Sequence, residues 1–180
     1  MNSQETIMNT REYIEVKKSG IHRHGVFASK NIPKGEIIAE YLGRLISKQE
    51  SEKIQKEMIE KYKNDSGNNA ATYIFIISEE EDLDGNIPEN DARYINHSCS
   101  PNCKYVIEGK RVFIRSIRDI DKGEEITYNY DFEIDSTDPY EFKDHPCKCG
   151  SKNCVGYILA EDEWSKMREL LDKENNKKTE

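Results

Sequence analysis

The chain has 180 residues, room for one ordinary domain with short tails and for a core that needs no disulfides. Charged residues make up 34% and apolar ones 35%, and the formal net charge is -8. An acidic balance disfavours sequence-independent binding to nucleic acid, which depends on Lys and Arg neutralising phosphates, and suits a basic protein partner instead. No stretch has the apolar core of a secretory signal or the length of a membrane span. A cytosolic or otherwise reducing compartment is therefore the default expectation, with the nucleus, or export by a route without a cleaved signal, also open.

Residues 1–11 are polar and read as a disordered tail. From Tyr13 to Leu45, short β pieces alternate with turns: YIEV alternates, GVFA is a brief apolar run, and IPKGEIIAEY sets a Pro-Lys-Gly turn before another strand. Ser47 to Tyr62 reads as a helix, with capping-box spacing between Ser47 and Glu50 and with Ile54, Met58, Ile59 and Tyr62 on one packing face. NDSGNN at 64–69 is a loop, TYIFII at 72–77 a strand, and EEEDLDGN a return to turn composition. KYVIEGKRVFIRSI reads as a hairpin around Gly109, and IDKGEEITYNYDF as a turn followed by a strand.

A weak internal echo joins Ile32-Pro-Lys-Gly-Glu to Ile120-Asp-Lys-Gly-Glu, and two uses of a common turn-to-strand solution suffice to explain it. Residues 133–146, polar and punctuated by proline, read as a flexible connector. Residues 160–173 form a helix with Trp164, Met167, Leu170 and Leu171 on one side, ahead of a charged tail. The organisation expected is a β-rich domain over 12–132 with a helical insert and hairpin at 47–90. The connector, a cysteine segment at 147–159 and a C-terminal helix and tail at 160–180 follow.

Cys147-x-Cys149-x4-Cys154 supplies three thiolates within eight residues. A structural zinc takes four soft ligands in a tetrahedron, so one is missing locally, and Cys99 or Cys103 can provide it from a distance. Three unrelated thiols are the plain alternative; a redox role fits poorly, because the spacing is not C-x-x-C.

The most informative stretch is Arg93-Tyr-Ile-Asn-His-Ser-Cys-Ser-Pro-Asn102-Cys. Alone, His97 reads as a structural histidine and Asn96 as a turn residue. The stretch is followed, however, by GEEITYNYDF at 123–132 and then by the cysteine segment. In that order the three resemble the SET-domain protein lysine methyltransferases with a C-terminal post-SET zinc segment. IHRHGVFASKNIPKGEIIAEYLG at 21–43 is similar to the family's N-terminal cofactor motif, and the resemblance covers about residues 12–159.

The resemblance implies a SET-domain fold, mostly β with minor α: small antiparallel sheets whose signature segments thread past one another in a knot-like way, plus the post-SET zinc segment and a helix. It implies S-adenosylmethionine as methyl donor and a lysine in a basic protein or peptide, such as a histone tail, as acceptor. Tyr130 falls at the catalytic position, and Tyr41, Tyr73 and Tyr128 at positions that wall the lysine channel. His22, Arg23, His24, Gly25, Tyr73, Arg93, Asn96, His97, Tyr130 and Tyr157 fall where the cofactor is held. Cys99, Cys147, Cys149 and Cys154 match the structural zinc ligands, leaving Cys103 as an ordinary thiol.

At the channel position held here by Tyr128, similar enzymes carry Phe or Tyr, and Tyr favours mainly monomethylation, with slow dimethylation also open. One departure stands out. The family usually has Gly-x-Gly where this chain has Arg23-His24-Gly25, and a positive φ at Arg23 would carry a steric cost. A SET-like module that binds a peptide or cofactor without efficient turnover is the alternative function, and monomer and dimer are both open.

Overall fold

The first two strands, β1 (Ile14–Lys18) and β2 (His24–Ala28), form an antiparallel hairpin in register from Ile14 opposite Ala28 to Lys18 opposite His24. In the computed structural model, which describes residues 12–62 and 73–177, eight further strands and two α-helices follow. They are β3 (Ile37–Tyr41), β4 (Arg44–Ser47), α1 (Lys48–Tyr62), β5 (Ile74–Ile76), β6 (Glu81–Asp84), β7 (Asn96–His97), β8 (Cys103–Glu108), β9 (Arg111–Ser116), β10 (Glu125–Tyr128) and α2 (Trp164–Lys177). The expected tail at 1–11, the loop at 64–69 and Thr72 of the expected strand lie outside the described residues, as do the side chains of Ile59 and Tyr62.

The strands make three small sheets, ordered β1-β2-β10-β7, β3-β9-β8 and β4-β6-β5. Consecutive buried residues in β3 (Ile38 to Tyr41) and β9 (Val112 to Ile114) mark strands covered on both faces. Between the sheets, Val26, Ile38, Ile95, Val112, Ile114 and Ile126 are at most 1% exposed. Branched apolar chains dominate this core because they pack well on pleated surfaces.

The echo noted in the sequence is a spatial pairing. Ile32 and Ile120, both fully buried, exchange two backbone hydrogen bonds of 2.9 Å. Lys34 N–H donates to the Asp119 carboxylate, and Lys122 N–H donates to the Asn31 side-chain carbonyl. Each copy thus pins the turn of the other, and Gly35 and Gly123 adopt the same positive φ, 92° and 88°.

Three expectations need correction. The acidic run read as a turn contains β6, the central strand of its sheet. The carboxylates of Asp82 and Asp84 are buried yet paired: Lys48 reaches Asp82 at 2.6 Å, and Arg44 reaches Asp84 at 2.7 Å. Leu83 between them faces the main core. The period-2 alternation was present, but it placed acid where strand patterns place polar residues facing water. TYIFII, conversely, yields only the three-residue edge strand β5, with Ile76 72% exposed. Helix α1 begins as expected, with Glu50 N–H donating to Ser47 Oγ at 3.2 Å, and Ile54 and Met58 are partly buried.

The segment 133–146 is not a free connector. It supplies Ile134 and Phe142 to a second, smaller core with Leu159 and Met167, flanked by Tyr140, Val155, Tyr157, Trp164, Leu170 and Leu171. Two apolar residues seat it, too few to outweigh its polar composition in a sequence reading. No helix among the described residues is long and apolar enough to cross a membrane.

Candidate active site

The motif Asn96-His-Ser-Cys is drawn through the molecule beside the tyrosine motif. Strand β7 pairs in parallel with β10, Asn96 opposite Thr127 and His97 opposite Tyr128. A side chain completes this pairing: Asn102, 2% exposed, accepts from Thr127 N–H at 2.9 Å and donates to the Glu125 carbonyl at 2.8 Å, acting as a short piece of strand. Buried amides are tolerated when both ends are hydrogen-bonded.

Asn96 anchors the N-terminal loop. Its amide donates to the His24 carbonyl at 2.9 Å and to Glu125 Oε1 at 2.8 Å, with Ser19 Oγ at 3.2 Å. Gly25 is required there, since a Cβ would lie 2.2 Å from Glu125 Oε1. Arg23, two residues earlier, has φ 34°, a left-handed conformation that glycine adopts at far lower cost. The neighbouring His22 is partly buried, and Nε2 has no hydrogen-bond partner among the described residues. Burial, together with Arg23 and Lys148, holds its pKa below the usual value. A buried donor or acceptor without a partner at a loop facing the motif strands fits a polar ligand there. Arg93 donates to the Ile87 carbonyl and to Tyr94 Oη, and its guanidinium lies 4.7 Å from the Tyr94 ring and 5.8 Å from the Tyr73 ring.

His97 sits between two candidate centres. Its Nδ1 accepts from Tyr130 N–H at 3.2 Å, which places the proton of the neutral ring on Nε2, 3.6 Å from Cys99 Sγ. Burial pushes its pKa down to about 4, so the ring is neutral at physiological pH.

Three of the expected residues, Tyr41, Tyr128 and Tyr130, and two unexpected ones form an aromatic cluster. Tyr41 meets Phe75 edge-on at 4.6 Å, and its hydroxyl donates to the Tyr73 carbonyl at 3.1 Å. Phe75 stacks on Tyr128 at 5.9 Å, and Tyr128 lies 5.1 Å from Tyr130. Tyr105 packs edge-on against Phe75 at 5.3 Å and Tyr128 at 6.1 Å. The Tyr130 hydroxyl donates to the Ile95 carbonyl at 2.8 Å. Burial raises the pKa of Tyr41, Tyr128 and Tyr130, and it pushes Tyr105 up to about 12 with help from the Asp131 carboxylate. All four are neutral phenols at physiological pH.

Sequence reading missed Phe75, Tyr105, Asn102 and Phe132. Phe132, 5.9 Å from Tyr130, was within reach: Tyr128, Tyr130 and Phe132 recur at every second residue. Tyr105 and Phe75 sit on strands whose facing cannot be known before the sheets are assembled.

The cysteines resolve the question of the fourth ligand. Cys99 Sγ lies 3.8 Å from Cys147 Sγ and 3.9 Å from Cys154 Sγ, and one sulfur from each of Cys99, Cys147, Cys149 and Cys154 falls within 4.8 Å of the others. Thiolates about 2.3 Å from a tetrahedral zinc stand roughly 3.8 Å apart, so the set fits that ion. Cys149 N–H points to Cys147 Sγ, and Gly156 N–H to Cys154 Sγ, as suits sulfurs carrying negative charge. Cys103 is elsewhere, on β8, where burial pushes its thiol up to about 12. Tyr157 turns its ring edge-on to Phe142 at 4.9 Å in the second core, while its carbonyl lies 4.0 Å from Cys99 Sγ.

Comparison with known proteins identifies the family. Residues 23–131 match the model of the SET domain. The chain is 36% identical over 152 residues to the histone-lysine N-methyltransferase trithorax of Drosophila virilis, covering 82% of this chain and 4% of that protein. It is 40% identical over 144 residues to a histone-lysine N-methyltransferase, H3 lysine-4 specific, of Schizosaccharomyces pombe, covering 78% and 14%. It is 38% identical over 151 residues to the variant-silencing SET domain-containing protein of Plasmodium falciparum, covering 81% and 6%. The chain therefore spans only a small part of the length of these relatives.

Proposed function

The chain belongs to the SET-domain family, and on that premise we propose that it is an S-adenosylmethionine-dependent protein lysine N-methyltransferase acting on a basic protein. The observation that carries the reading is the Tyr130 hydroxyl, on a partly buried residue, hydrogen-bonded to Ile95 beside a cluster of neutral phenols and next to the Asn96–His97 strand.

Lysine attacks a methyl carbon only as a free amine, and its unperturbed pKa is about 10.4. Tyr41, Tyr128 and Tyr130 keep their protons, so none of them takes the amine's proton as a base. They act through desolvation: loss of water, with the positive charge a bound donor would bring, disfavours an ammonium and leaves the amine as the form that fits. The Tyr130 proton is committed to the Ile95 carbonyl, so the oxygen lone pairs are free to accept from the amine N–H or the polarised C–H groups beside it. Holding the amine in one orientation supplies much of the rate gain available to such a displacement.

The bound donor supplies an activated methyl carbon. His22, Arg23, His24, Gly25, Tyr73, Arg93, Asn96, His97 and Tyr157 are the residues proposed to hold it with Tyr130, and the partnerless His22 Nε2 supports a polar ligand at this loop. Zinc is proposed for Cys99, Cys147, Cys149 and Cys154, where it would fasten the C-terminal segment to the motif strand. Histone tails are the leading substrate class, since the relatives are named histone-lysine methyltransferases and the chain is acidic; this favours a chromatin setting and the nucleus.

Tyr128 supports a mainly monomethylated product, because its hydroxyl occupies room that a methylated amine needs. Methylation of a peptide array with labelled donor tests the activity. Tyr130→Phe should lower transfer on the order of a hundredfold, and Tyr128→Phe should move the product, read by mass spectrometry, towards higher methylation. Binding of peptide and donor by wild type without any label transfer would leave a binding module and defeat the enzyme reading.

A further inference from the structure

The turn between β1 and β2 is held by hydrogen bonds that converge on one carboxylate. Ser19 N–H closes the turn on the Arg23 carbonyl at 3.3 Å, and Ile21 N–H donates to Ser19 Oγ at 2.9 Å. The Ser19 hydroxyl then donates to Glu125 Oε1 at 2.7 Å, the same oxygen that receives the Asn96 amide at 2.8 Å. Glu125 is on β10, opposite Phe27 of β2 and two residues before Thr127, which pairs with Asn96. One oxygen of a partly buried residue thus ties the turn to both motif strands.

We propose that Glu125 is a positioning residue for the methyl donor, acting with Ser19 as a latch that orders residues 19–25 before the donor arrives. The proposal rests on the methyltransferase reading and concerns two residues outside the set proposed above to hold the donor.

The turn has little else to fix it. Gly20, Arg23 and His24 are exposed, and Arg23 is left-handed. Ordering such a turn at the moment of binding would subtract from affinity, and ordering it in advance avoids that cost. A carboxylate suits the task because it only accepts, and its hydrogen bonds are about twice as strong as those between neutral groups. The seat is also close. A Cβ at residue 25 would lie 2.2 Å from Glu125 Oε1 and 2.9 Å from Ser19 Cβ, so glycine lets the turn settle on the carboxylate. The same turn carries His22, whose Nε2 has no partner among the described residues.

The test measures donor and peptide binding separately in the full chain. Titration calorimetry reads S-adenosylmethionine, and fluorescence anisotropy reads the array peptide that the wild type labels most strongly. Glu125→Ala should raise the donor Kd roughly tenfold and leave the peptide Kd within about twofold. Ser19→Ala should raise the donor Kd roughly threefold, and adding it to Glu125→Ala should change little further, because both remove one connection. Glu125→Gln keeps an acceptor oxygen for both donors and should return the donor Kd to within about threefold of wild type. Hydrogen exchange should quicken over residues 19–25 in Glu125→Ala while β9 stays protected. If that variant fails to fold, Ser19→Ala, at a partly buried position, carries the test alone. An unchanged donor Kd in Ser19→Ala and Glu125→Ala, an equal rise in donor and peptide Kd, or a Glu125→Gln no better than Glu125→Ala overturns the latch. Absence of donor binding by the wild type overturns the methyltransferase reading, and the latch with it.

Discussion

The β body and the C-terminal segment are held together by different means. In the body, sixteen buried residues, from Ile14 to Tyr128, form one core among the described residues, and the strands bring their own hydrogen bonds. The C-terminal core buries four residues, Ile134, Phe142, Leu159 and Met167, and between Pro146 and Tyr157 its backbone is mostly turns around cysteine sulfurs. A segment with so little apolar area needs another source of order, and four convergent thiols are positioned to provide it through a metal. The two regions thus draw their order from different residues. His97 is the joint between them, touching Tyr130 on one side and Cys99 on the other.

The sharpest way to break the contrast is to disrupt the proposed metal site. Chelation, or Cys149→Ser, should lower methyl transfer on the order of a hundredfold by misplacing the wall of the site. Hydrogen exchange should show β1, β2, β9 and β10 still protected. Loss of protection throughout the body would mean that the two regions are one cooperative unit.

Next in size are cavities placed in each core. Ile114→Ala, at a fully buried position of the body, should cost about 2–5 kcal/mol of global stability in urea denaturation. Met167→Ala should instead raise proteolytic nicking between residues 133 and 160 with little change in the main transition. Equal shifts of one transition by both variants would erase the distinction.

The smallest effect lies in the loop between β1 and β2. Arg23→Gly relieves a left-handed non-glycine residue and should stabilise by about 1 kcal/mol, a melting rise of roughly 2–4 °C. A lower melting temperature would show that the Arg23 side chain makes contacts worth more than the strain.

Much of this was legible in one dimension because the responsible forces act locally. Capping by Ser47, the Gly109 hairpin, the Lys-Gly turns and the three cysteines from Cys147 to Cys154 each depend on residues a few positions apart, and each was readable. The acidic strand β6 was misread because its charges are neutralised by Arg44 and Lys48, some 34 to 40 positions away. The connector was misread for a related reason: Phe142 finds Tyr157 and the helix only after the chain folds back.

The sequence by itself determined which chemical groups were available: the tyrosines, the Asn96-His97 pair, and a cysteine set one ligand short. Spacing left Cys99 and Cys103 both open and the resemblance favoured Cys99, which the structure brings to the other three sulfurs; only the tertiary structure decided that β7 lies parallel to β10 and that Phe75 and Tyr105 join the tyrosines. Those outcomes hinge on which faces of separate strands turn towards each other. Side-chain facing across sheets is set by the packing of the whole core, and no short window of sequence contains it.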